Sequence, residues 1–153
     1  FQGVRRRQEV LYSDDSCTIV EDFAHHPSAV AGAIGALRAA YPDRKMTVCF
    51  EPRSNTAASA RFQTEFQMAL SGADRVYFGA VYRADRMRPE ERLDTVKMAN
   101  ALPDSKAFTD NQSLLETLKM CVNDEAHGLI VFLTNGSFAG LPSSLAASCS
   151  NAR

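Results

Sequence analysis

The sequence predicts an α/β fold: a mostly parallel sheet of about six strands, opened by an N-terminal β-hairpin and covered by helices on both faces. Three observations carry this. Strand-like and helix-like stretches alternate almost to the end of the chain. The strand-like runs are apolar through their centres, as strands buried on both faces are. A short turn signal separates the first two of them.

Residues 10–13 and 17–21 are β-favouring runs on either side of Asp14-Asp15-Ser16, which gives the hairpin. Residues 27–41 form a helix, with Pro27 suited to its first turn and Val30, Ala33, Ile34, Leu37 and Tyr41 recurring at helical spacing. Residues 45–51 (KMTVCFE) are a buried strand. Phe62, Phe66, Ala69 and Leu70 mark a second helix, core-facing and ended by Gly72. Residues 75–82 are another buried strand. A charged stretch, 83–92, leads to a weakly patterned helix ending near Asn100, and residues 106–109 form a short strand. Asp110 is placed to cap a helix carrying Leu114, Leu115, Leu118, Cys121 and Val122. Residues 129–133 (LIVFL) are the most strand-like run, and residues 143–149 a final helix. The result is a three-layer, Rossmann-like arrangement.

Composition bounds the function. The chain has 153 residues, 45% hydrophobic and 23% charged, with net charge −1. That length buries roughly 70% of the unfolded surface without a disulfide or metal staple. Seventeen basic against eighteen acidic residues create no bulk positive field for a nucleic-acid backbone. No apolar run approaches the ~20 residues of a membrane span. Cys17, Cys49, Cys121 and Cys149 stand apart, without a CxxC pair, and read as buried thiols of a reducing cytoplasm. The chain starts at Phe1 and runs into Gly3-Val4-Arg5-Arg6-Arg7, which reads as a fragment of a longer protein.

Right-handed crossovers place every strand-to-helix loop at one edge of such a sheet, the edge where α/β proteins bind ligands. Three of these loops are rich in polar residues: 22–27 (DFAHHP), 52–56 (PRSNT) and 134–140 (TNGSFAG). In the first, Asp22, His25 and His26 precede a helix N-terminus, which favours anions; a helix cap with a surface histidine pair is the plainer reading. In the second, Arg53 offers a planar fork for a carboxylate or phosphate, while Ser54, Asn55 and Thr56 suit helix capping. In the third, Asn135, Gly136, Ser137 and Phe138 form either a plain turn or a backbone that approaches a ligand. Neither GxGxxG nor GxxxxGK[ST] occurs. Arg83, Arg86, Arg88 and Arg92 read as a solvated charge run, and His127 as a turn residue.

The order F-x-G-x-x-R-R-x-E, E-D-F-A-H-H-P, F-E-P-R-S-N-T and N-G-S-F-x-G resembles the C-terminal domain of the Mur ligases, ATP-dependent enzymes that build the peptidoglycan peptide. The D-F-A-H-H-P element is shared with the ligases that add L-alanine to UDP-N-acetylmuramate. F-E-P-R-S-N-T is narrower and resembles the recycling ligases, which reattach L-alanyl-γ-D-glutamyl-meso-diaminopimelate to UDP-N-acetylmuramate. The resemblance implies that residues 1–153 are the incoming-peptide domain, and that a UDP-binding and a central ATPase domain belong to the same chain but lie outside this fragment. It implies ATP and Mg²⁺ as cofactors of the intact enzyme. There, ATP phosphorylates the muramoyl carboxylate and the incoming amine attacks the acyl phosphate.

Residue by residue, Arg7 resembles the hinge arginine that reaches toward the nucleotide phosphates, Asp22 the aspartate on the ATP ribose, and His25 the histidine beside it. His26, Arg53, Ser54, Asn55, Asn135, Gly136, Ser137 and Phe138 would lie around the peptide. The last loop departs from the family's N-G-G-F-G-G, with Ser137 and Ala139 replacing glycines, so a positive φ at either position would be strained. The tail after Leu141 lacks the family's histidine and basic residues. Two further readings are an L-alanine-adding ligase and a stand-alone nucleotide- or partner-binding module. The isolated fragment is expected not to turn over ATP.

Overall fold

The computed structural model describes residues 7–124 and 128–152. Gly3, Val4, Arg5, Arg6 and His127, which figured in the sequence reading, lie outside the described residues. The chain runs β1 (Glu9–Ser13), β2 (Cys17–Asp22), α1 (Pro27–Ala40), β3 (Lys45–Phe50), α2 (Gln63–Leu70), β4 (Arg75–Phe78), α3 (Thr95–Ala101), β5 (Lys106–Ala107), α4 (Asn111–Asp124), β6 (Gly128–Leu133) and α5 (Leu141–Asn151). The six strands form one sheet in the order β1-β2-β6-β3-β4-β5. Only the β1–β2 pair is antiparallel. The expected fold class is the observed one.

Alternation along the strands sorts the core into two layers. Val20, Met46, Val48, Phe50, Val76, Phe78, Leu129, Val131 and Leu133 point to the face covered by α1, α2 and α3. Ile19, Cys49, Tyr77, Ile130 and Phe132 point to the other, covered by α4 and α5. The strands β2, β3 and β4 hand on to helices of the first layer, whereas β6 hands on to α5 of the second. The helix after β6 therefore covers the opposite face from the helices after its two neighbours, β2 and β3, so the chain changes face at β6.

Local signals explain most boundaries. In the hairpin, Asp14 Oδ1 accepts from the backbone N–H groups of Ser16 and Cys17, both at 2.8 Å. The Tyr12 hydroxyl, with those N–H groups, holds the Asp14 carboxyl well below the usual carboxylate range. Asp110 caps α4 as expected: Oδ1 accepts from Ser113 N at 2.7 Å and Oδ2 from the Ser113 hydroxyl at 2.9 Å. Asp94 caps α3 through Lys97 N at 3.0 Å.

Among the boundaries that differ from expectation, three bear on the site and its sheet. The strand expected over 75–82 stops at Phe78, because β5 is two residues long and offers no further partner; Tyr82 N turns instead to Pro52 O at 2.9 Å. No helix starts at residues 54–56. Ser54 Oγ accepts from Ala57 N at 2.9 Å and closes a turn, and Ser59 caps the short 3-10 turn over 60–62 that leads into α2. The last helix starts at Leu141, two residues early, with Pro142 in its first turn. Cys17, Cys49 and Cys149 are buried free thiols and Cys121 is half-buried.

Candidate functional site

The parallel register aligns Asp22, Leu133 and Phe50 across β2, β6 and β3. The three polar loops therefore leave the sheet side by side, as the crossover rule requires. The ladder continues one step beyond the strands: Thr134 N donates to Asp22 O at 3.1 Å, Glu51 N to Leu133 O at 3.0 Å, and Gly79 N to Phe50 O at 2.9 Å. The loops are thus fixed at their roots by the same hydrogen bonds that hold the sheet.

The β2–α1 loop builds one half of the site. Asp22 is only 7% exposed. Its Oδ1 accepts from Ala24 N at 2.8 Å and its Oδ2 from Gln8 N at 2.9 Å. The carboxylate so joins the incoming chain to the turn ahead of α1, and each oxygen keeps further acceptor capacity. His25 Nδ1 lies 2.9 Å from Phe23 O. A carbonyl can only accept, so Nδ1 carries a proton in this contact. The His25 ring meets Phe23 edge-on at 5.1 Å and His26 at 4.6 Å. His26 occupies the N-cap position of α1 but makes no side-chain capping bond. A cleft of about 470 Å³ runs past Arg7, Asp22, His25 and His26 to Gly32 on α1. The structure brings these four residues together. A buried carboxylate with spare lone pairs, an imidazole and an exposed arginine suit the hydroxyl and phosphate groups of a nucleotide.

The β3 and β6 loops build the other half. Thr134 is fully buried; its hydroxyl donates to Glu51 Oε1 and accepts from Gly136 N at 2.9 Å. This relay ties the two loops together beneath Arg53. The Arg53 side chain lies across Gly136, where a Cβ would stand 2.2 Å from both Cδ and Nε. Here it is close approach, not backbone angles, that glycine serves: a Cβ would push the Arg53 side chain aside. The Arg53 guanidinium carbon sits 4.5 Å from the centre of the Tyr82 ring. Asn55 and Ser137 are exposed, and Ser54 is half-exposed. Asn135 Oδ1 is buried without a hydrogen-bond partner among the described residues.

Phe138 is a correction to the expected peptide-contacting set. Its side chain is fully buried, 5.8 Å from the Phe132 ring and packed on Gly79. It has no surface to offer a ligand and anchors the loop instead. The concern over the replaced glycines resolves unevenly. Ser137 keeps an ordinary φ of −94°, whereas Ala139 sits in the left-handed region at φ 51°. Phe138 and Gly140 also have positive φ, at 49° and 74°.

Sequence reasoning missed the loop after β4. Arg83 and Arg86, read as solvated charges, line a second cleft of about 400 Å³ together with Arg53, Asn55 and Tyr82. The crossover rule names this loop as a fourth member of the same edge. That was the available signal. Among the described residues, no group of three or more His, Cys, Asp or Glu side chains stands close enough to hold a metal ion. No helix among them is long and apolar enough to cross a membrane.

Comparison with known proteins agrees with this architecture. The solved structure of a murein peptide ligase from Psychrobacter arcticus superposes with a TM-score of 0.76 at 22% identity, covering 99% of this chain and 31% of that one. A domain of a UDP-N-acetylmuramate:L-alanyl-γ-D-glutamyl-meso-diaminopimelate ligase from Haemophilus ducreyi gives 0.70 at 24% identity, covering 93% of this chain and 98% of that one. Among curated sequences, the UDP-N-acetylmuramate–L-alanine ligase of Lactococcus lactis subsp. cremoris is 31% identical over 139 residues, 90% of this chain and 29% of its own length. The chain spans between 18% and 29% of the length of the curated relatives it matches. The family model described as "Mur ligase, glutamate ligase domain" matches residues 6–137. Since that match runs through the hairpin, the whole parallel sheet and the loops at its carboxyl edge, the chain belongs to the Mur ligase family, as its glutamate ligase domain.

Proposed function

We propose that this chain is the incoming-peptide domain of an ATP-dependent ligase that attaches L-alanyl-γ-D-glutamyl-meso-diaminopimelate to UDP-N-acetylmuramate through an acyl phosphate. The observation that carries this reading is Arg53, held between Gly136 and Tyr82 at the sheet's carboxyl edge and free of any carboxylate partner among the described residues. A fork so placed and unneutralised is suited to a carboxylate of the substrate. The narrow F-E-P-R-S-N-T element adds support.

On this reading the intact enzyme is bacterial and cytoplasmic, with UDP-binding and ATPase domains elsewhere in the same chain. Those domains supply the phosphate loop, Mg²⁺ and most of the charge stabilisation. Arg7, Asp22 and His25 meet the nucleotide, while His26, Arg53, Ser54, Asn55, Asn135, Gly136 and Ser137 surround the peptide. The chain's contribution is to orient the amine and exclude water, not to supply a nucleophile. The isolated 153 residues therefore do not turn over ATP.

A second reading, an L-alanine-adding ligase, is favoured by the name carried by the curated relatives. Steady-state kinetics of the intact ligase with the tripeptide and with L-alanine separates the two. In the first reading Arg53→Ala raises the tripeptide KM about tenfold, the scale of one charged hydrogen-bonding group, with little change in the KM for ATP. An unchanged tripeptide KM would sink the assignment.

A further inference from the structure

The cleft beside Arg53 contains more positive charge than a single carboxylate needs. Its walls carry Arg53, Arg83 and Arg86 against one acid, Glu91. Glu91 Oε2 already faces the backbone N–H of Arg88 at 3.4 Å. Among the described residues, none of the three arginines is paired with a carboxylate. Arg53 and Arg83 lie over the same Tyr82 ring, their guanidinium carbons 4.5 and 5.0 Å from its centre. Two like charges gathered on one ring repel each other, and the ring's quadrupole offsets only part of that cost.

This grouping is built into the backbone. Tyr82 N donates to Pro52 O at 2.9 Å, which seats the ring beside Arg53. Arg83 takes a left-handed conformation, φ 55° and ψ 33°, that opens the 3-10 turn over 84–86 and brings Arg86 to the same cleft. At the far end, Ser59 and Arg92 form an antiparallel bridge, and Arg92 Nη1 donates to Ala84 O at 3.0 Å. The loop after β4 is therefore pinned at both ends to the loop that carries Arg53.

We propose that Tyr82, Arg83 and Arg86 form a second carboxylate subsite, continuous with Arg53, which selects peptides bearing several carboxylates over monocarboxylate amino acids such as L-alanine. This rests on the reading of Arg53 as the peptide's carboxylate fork and extends it. L-alanine offers one carboxylate, which Arg53 satisfies. The tripeptide has three, and only a ligand of that kind neutralises the whole cleft.

The test is an amide-resonance titration of the 153-residue chain with four probes: the tripeptide, tricarballylate, L-alanine and inorganic phosphate. The expected result is that the tripeptide and tricarballylate shift the amides of residues 82–86. Arg83→Ala/Arg86→Ala then weakens the tripeptide about tenfold, with the amide spectrum otherwise retained and L-alanine unaffected. The single Arg86→Lys variant falls between, because it keeps the charge and loses the fork. Unchanged tripeptide affinity in the double variant, with loss only in Arg53→Ala, overturns the subsite and leaves the functional reading standing. Tricarballylate binding without tripeptide binding supports the subsite and overturns that reading. Phosphate binding as tightly as tricarballylate at the same amides overturns the carboxylate preference.

Discussion

Arg53 lies so close over Gly136 that a single methyl group at position 136 would occupy the space of its Cδ and Nε, each 2.2 Å from where a Cβ would stand. The arginine is half-exposed and its far end can swing away, so Gly136→Ala should cost little folding stability. It should still displace the guanidinium from its place over Tyr82. On the proposed function, the expected outcome in the intact ligase is a rise of several-fold in the tripeptide KM with nearly unchanged Tm. A fall in Tm with an unaltered KM would count against Arg53 as the displaced group.

Ala139 pays a backbone cost that a glycine would not. At φ 51° and ψ 29° an alanine is disfavoured by about 1–2 kcal/mol. Glycine's greater freedom in the unfolded chain takes back about half of any gain. Ala139→Gly is expected to stabilise the chain by about 0.5–1 kcal/mol in urea unfolding. Phe138→Ala should do the reverse and cost about 3–5 kcal/mol, because it empties a fully buried position packed on Phe132 and Gly79.

Asp22 has a structural duty that its substitution would expose before any ligand is added. Removing the carboxylate in Asp22→Ala strands the N–H groups of Gln8 and Ala24. The expected destabilisation is about 2 kcal/mol. Hydrogen exchange should quicken at those two amides first. If both remain as protected as before, the clamp described here is not the one that holds them.

Acid should loosen α4 through Asp110. The backbone N–H and hydroxyl of Ser113 lower its carboxyl pKa below the ordinary 3.8. A depressed folded-state pKa means the contribution is fully present above the unfolded value and is lost as pH falls through the folded one. Stability should therefore be flat from neutral pH down to about 5 for this group, and decline below about 4. Asp110→Asn keeps a capping oxygen but removes the titration. Its pH–stability curve should be shallower on the acid side, as followed by circular dichroism.

Thiol labelling should separate the cysteines by burial. The enclosed site of Cys49 pushes its thiol pKa up and keeps reagents out. Half-buried Cys121, 3.7 Å from the Tyr77 hydroxyl, should be modified first in the folded chain. Cys49 should react only on unfolding.

The parallel sheet was legible because residues 129–133 are apolar throughout and residues 46–50 apolar but for Thr47, and a strand written that way is buried on both faces. The capping role of Asp110 was legible for the same kind of reason: a short-range pattern with one physical solution. The end of β4 was not. Residues 76–82 are apolar on both sides of Gly79-Ala80, and the strand stops at Phe78, where the two-residue β5, a neighbour about thirty residues away in sequence, offers no further partner. Phe138 was placed around the peptide only by the resemblance of its loop, and nothing local in the sequence marks its packing on Gly79, which lies on another loop. Arg83 and Arg86 resemble any charged loop until the bond from Tyr82 to Pro52 sets them beside Arg53.

The bond from Gln8 to Asp22 has a mechanical meaning. Gln8 is itself in the left-handed region, at φ 49°, just before the first strand begins. Its amide is fastened to the carboxylate that also braces Ala24, one residue before His25. Displacing the backbone at residue 8 would therefore pull on the cleft-lining turn through one side chain, and Asp22 acts as the shared anchor of both.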